Sequence, residues 1–76
     1  MKTRIMRQSD GTFTAEVAHE MWGPYATWYA IAKGDLRTCV SAGDREKYCR
    51  HATAEEARET LARYCAAAGI GAEEVK

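Results

Sequence analysis

Residues 53–69 constrain this chain most, because they hold one stretch of helical period with both its start and its stop written in. Thr53 with Glu56 three positions on forms a T-x-x-E capping box, in which each side chain serves the other residue's backbone N–H. Ala54, Ala57, Leu61, Tyr64, Cys65 and Ala68 recur at helical spacing and define one apolar face. Glu55, Glu56, Arg58, Glu59 and Arg63 take the other face, with Glu59 and Arg63 in the favourable i,i+4 order. Gly69 is the expected left-handed residue after the helix, with Ile70 folding back on Cys65 or Tyr64. The spacing predicts a helix over about 54–68, shallow enough in its alanines to sit close to a sheet.

Everything before Thr53 changes to period two. Asp10-Gly11 supplies the positive φ of a tight hairpin. Ile5 and Met6 fall in a short strand before it; Phe13, Ala15, Val17 and Met21 alternate with Thr14, Glu16 and Glu20 after it. Gly23-Pro24 interrupts pairing, since proline has no N–H to give a ladder. Residues 27–33 and 36–41 read as two further strands around Gly34-Asp35, and Ala42-Gly43-Asp44 as a turn into a fifth over 46–50. The strands thus span about 3–51. The class expected is α+β: a four- to five-stranded antiparallel sheet with one C-terminal helix packed on one face. Seventy-six residues allow a single domain, 1–76, with a short flexible tail after the helix.

One helix cannot cover both faces of such a sheet. Adjacent strand residues point to opposite faces, so of Trp28 and Tyr29 one lies on the uncovered side. Trp22, Tyr25, Trp28 and Tyr29 lie within eight residues and are four of the chain's seven aromatics. Trp and Tyr bury much area with few rotatable bonds and dominate interface hot spots. Some could equally plug the end of a small core. With Glu16 and Glu20 they form the expected partner-binding set: Trp22, Tyr25, Trp28, Tyr29, Glu16 and Glu20.

Charge and chemistry narrow the function. Eleven basic and eleven acidic side chains cancel, which argues against a free-standing nucleic-acid binder. Arg4, Arg7, Arg37, Arg45, Lys47 and Arg50 could track phosphates if they shared the helix-free face, but Glu16, Glu20, Asp35 and Glu46 are interspersed. No apolar run is long enough to span a bilayer and no signal-peptide core follows Met1, so a soluble, cytoplasmic chain is expected. Cys39, Cys49 and Cys65 read as reduced thiols, with a Cys39–Cys49 disulfide the lesser alternative. Cys39, Cys49, His51 and Cys65 lack the short clips of a zinc site, so no metal or other cofactor is expected, and His51 is taken as solvated. His19 points away from Glu16 and Glu20 on a strand, no nucleophile–base set can be assembled, and no enzyme is expected.

Two families are resembled. Asp10-Gly11-Thr12-Phe13, followed by residues 48–57 with Thr53-Ala54-Glu55-Glu56-Ala57, is similar to the arm-type DNA-binding module of phage integrases, a three-stranded sheet before a helix; this chain adds about two strands and is neutral. In length and architecture the whole chain resembles the small phage-encoded anti-CRISPR proteins. That resemblance implies a stoichiometric inhibitor of a type I CRISPR surveillance complex that blocks target DNA binding. It would act in the host bacterial cytoplasm as a monomer or weak homodimer. A DNA-binding or regulatory module of a mobile element is the alternative.

Overall fold

The Asp10-Gly11 turn closes the first hairpin as the sequence predicts. Asp10 Oδ1 accepts from the Thr12 backbone N–H at 2.9 Å and from its hydroxyl at 2.6 Å, and Gly11 takes φ +86°, a region costly for any side chain. In this computed structural model the described residues are 2–18, 21–22 and 25–69, with side chains given for 2–18 and 27–69. The expectations for His19, Glu20, Gly23-Pro24, Ile70 and the tail lie outside them.

Strands β1 (Lys2–Arg7) and β2 (Phe13–Ala18) pair antiparallel, with Arg4 opposite Glu16 and Ile5 opposite Ala15. A short ladder of β3 (Met21–Trp22) and β4 (Tyr25–Ala26) follows. Next come β5 (Tyr29–Ile31), against β2, and β6 (Thr38–Cys39), against β5, giving the sheet order β1-β2-β5-β6. Beyond β5, His51 exchanges backbone hydrogen bonds with Phe13 at 2.8 and 2.9 Å. The fold is α+β with a four-stranded antiparallel sheet.

The expected fifth strand is a helix. α1 (Ala42–Tyr48) starts at Ser41, whose side chain accepts from the Asp44 N–H, and it carries Asp44 in its first turn and Arg45 and Lys47 in its last. Those charges suit the helix dipole at each end. Seven residues cannot hold a helix alone. Anchors from the sheet hold this one: the Lys33 N–H donates to the Tyr48 carbonyl at 2.9 Å, and Arg45 reaches the carbonyls of Trp28 and Cys39. Period two over five residues was too short a signal to outweigh these tertiary contacts.

α2 (Ala54–Ala67) has the full capping box at Thr53 and Glu56, and Gly69 follows it at φ +74°. Ala57, Leu61 and Cys65 pack on Ala15, Val17 and Ile31, with Ile5, Phe13, Tyr29, Leu36 and Tyr64 around them. On the opposite face Ala30, Ala32, Cys39 and Cys49 form a second, smaller cluster beneath α1. Each face of the sheet therefore carries a helix, and α1 is too short to cover all of its own.

Candidate binding cleft

The uncovered part of the α1 face is a cleft of about 350 Å³, lined by Arg4, Met6, Gln8, Thr14, Glu16, Ala42, Arg45 and Arg50. The alternation of β1 and β2 builds its floor. Lys2, Arg4 and Met6 share a face with Ala18, Glu16 and Thr14, because those pairs stand opposite one another across the hairpin.

Glu16 lies in that floor at only 4% exposure. A buried carboxylate needs charge and hydrogen bonds around it, and Glu16 has both. Arg4 reaches its Oε1 through Nε at 2.8 Å and Nη2 at 2.7 Å, and the Thr14 hydroxyl donates to Oε2 at 2.9 Å. Gln8 Nε2 donates in turn to Thr14 Oγ1 at 2.9 Å. The Arg4 guanidinium also stands 3.9 Å from the Trp28 ring centroid, within cation–π range.

The other two arginines come from the α1 side. Arg45 Nη2 donates to the Trp28 carbonyl and Nε to the Cys39 carbonyl at 3.4 Å. Arg50 pairs with Asp10, and its buried Nε has no hydrogen-bond partner among the described residues. Two hydrogen bonds from Thr12, aided by Arg50, hold the Asp10 carboxyl at about 2. On α1 itself, Tyr48 is 37% exposed, with Arg37 4.8 Å and Lys47 5.3 Å from its ring centroid.

The residues expected to bind a partner divide accordingly. Trp28 belongs to the cleft face, under Arg4, while Tyr29 is half-buried against the α2 core. Glu16 is in the floor and ion-paired. Trp22 and Tyr25 are backbone partners in the β3–β4 ladder, and their side chains, like all of Glu20, lie outside the described residues. Arg4, Arg45, Arg50 and Tyr48 were missing from the expected set. Counting outward from Asp10-Gly11 as a two-residue turn would set Arg4 opposite Val17; the loop is three residues, 9–11, closed between Gln8 and Thr12, and that one-residue difference brings Arg4 opposite Glu16.

His51 is a correction. It is 4% exposed, and its Nε2 lies 2.7 Å from Thr60 Oγ1, beside a pocket of about 200 Å³ lined by Lys33, Glu56, Glu59, Thr60 and Arg63. Cys39 and Cys49 share one cluster, whereas Cys65 packs on the other side of the sheet. Among the described residues no group of three His, Cys, Asp or Glu side chains is placed to hold a metal ion, and no helix is long and apolar enough to cross a membrane. No protein-family model matches the chain, and neither a curated protein nor a solved structure is detectably similar to it.

Proposed function

We propose that this chain is a non-enzymatic binding protein that docks its α1 face on a protein partner, with the arginine cleft receiving a partner carboxylate. The observation that carries the reading is the convergence of Arg4, Arg45 and Arg50 on one cleft. Two acids, Glu16 in the floor and Asp10 at the edge, already answer two of the three. One net positive charge is left for an incoming anion. Arg37 likewise has Asp35 at 3.8 Å. A face whose cations are largely compensated suits a mixed protein surface better than a phosphate backbone, whose binding draws on many free cations. Arg, Trp and Tyr at Arg45, Trp28 and Tyr48 are the residue types that dominate protein hot spots.

The resemblance to anti-CRISPR proteins makes a type I surveillance complex the first partner to test, with loss of target DNA binding as the readout. The purified chain is added to that complex, and in parallel used as bait in a nuclease-treated bacterial lysate. Tyr48→Ala should weaken capture by tenfold or more, about what losing an aromatic hot spot removes, with the fold unchanged by circular dichroism. Trp22→Ala and Tyr25→Ala extend the same assay to the β3–β4 ladder. Capture that disappears with nuclease, or that falls steeply with salt, would overturn the reading in favour of nucleic acid.

A further inference from the structure

From the placement of two thiols beneath α1 we infer that Cys39 and Cys49 are an oxidisable dithiol, a modification site whose disulfide would fasten the end of α1 to β6. The crosslink stands on its own geometry; only its effect on a partner rests on the docking reading above.

Cys39 lies on the edge strand β6 and Cys49 caps the C-terminus of α1. They are 4% and 0% exposed and share one cluster with Ala30 and Ala32, where the Cys39 side chain acts directly on the Cys49 thiol. Their cluster companions are alanines, so no large side chain of that cluster competes for the space at the pair. Cys65 belongs to the α2 core across the sheet and serves as an internal control.

Burial, and then the Cys39 thiol itself, push the Cys49 thiol up to about 12. In the closed fold it is therefore protonated at neutral pH and a poor nucleophile. Reaction needs α1 to lift. That motion is a small one, because α1 buries none of its own residues and is held by Arg45 and the Lys33–Tyr48 backbone bond.

Once α1 lifts, Cys39, the less buried of the two, loses its proton and attacks a small-molecule disulfide such as oxidised glutathione. A Cys39–glutathione bond forms, the oxidant's S–S bond breaks, and one glutathione leaves as thiolate and takes up a proton. Cys49 then gives up its proton and attacks the Cys39 sulfur, expelling the second glutathione, which is protonated in turn. Two protein thiols are oxidised and one small disulfide is reduced to two thiols. The new bond would hold α1 down and with it Arg45, which lines the cleft.

The test incubates the whole chain with oxidised glutathione, digests it without reduction and maps the peptides by mass spectrometry. The expected product is a Cys39–Cys49-linked peptide pair, with Cys65 still open to iodoacetamide after unfolding. Amide exchange over residues 42–48 should slow by about tenfold or more on oxidation and recover on reduction. A Cys65→Ala variant, which leaves the pair in place, should crosslink equally well. Free thiols at both positions, separate glutathione adducts that never resolve, or a link through Cys65 would each overturn the inference. A crosslink that slows exchange yet leaves partner affinity unchanged supports the dithiol and counts against the cleft as the docking site.

Discussion

Asp10 shows how much a single exposed carboxylate organises in a chain this small. It accepts the Thr12 N–H and hydroxyl, which fixes the first hairpin, and pairs with Arg50 at the edge of the cleft. These contacts favour its charged form, so its pKa falls from 3.8 to about 2 on folding, the Thr12 bonds being the larger cause. The unfolded chain takes up this proton first as pH falls. The stabilisation is therefore fully present above the unfolded value and is lost between about 4 and about 2. Over that interval the urea midpoint of the native chain should fall more steeply than that of Asp10→Asn. Parallel acid limbs for the two proteins would show that Asp10 is not preferentially charged in the fold. His51 teaches a different lesson at this scale. Nothing in the sequence separates a buried histidine from a solvated one, because its partner Thr60 stands among charged neighbours on the α2 sequence and reaches it only in three dimensions.

The two helices have the same kind of N-cap and different dependence on it. α2 buries Ala57, Thr60, Leu61 and Cys65, so it is bound into the main core and melts with the molecule. Thr53→Ala removes the bond to the Glu56 N–H and should lower global stability by about 1 kcal/mol. α1 buries no residue of its own, so Ser41→Ala should raise amide exchange over 42–48 while barely moving the urea midpoint. Equal loss of global stability in the two variants would mean that α1 unfolds only with the core. The same contrast explains what was legible. α2 could be read to within a residue or two because cap, apolar face and terminal glycine agree. α1 was read as a strand because Ala42-Gly43-Asp44 looked like a turn and the segment has no apolar face of its own to show a period. Ser41 with an acid in the first turn and bases in the last was the one local signal, and its anchors at Trp28, Lys33 and Cys39 are distant in sequence.

At the scale of the molecule, the Arg4–Glu16 pair sits between the demands of folding and those of binding. It places a charge in the floor of a four-stranded sheet whose whole chain has only 76 residues to stabilise it. Removing one partner of a fully buried pair costs about 3–5 kcal/mol; Arg4→Ala should cost less, about 2–3 kcal/mol, because Arg4 keeps 37% of its side-chain surface exposed. Glu16→Leu alone should cost less still, since the unpaired charge left behind is the solvated one. The double variant Arg4→Met, Glu16→Leu leaves no buried charge unpaired, and its urea midpoint should return close to that of the native chain. Partner affinity then distinguishes the two demands. If the pair serves the cleft, the double variant folds with native stability and binds weakly, because the cleft has lost the guanidinium that stands over Trp28 and the Thr14–Gln8 chain has lost the carboxylate it serves. If binding survives with stability restored, the pair is a folding element alone and the contact surface must be sought around Tyr48.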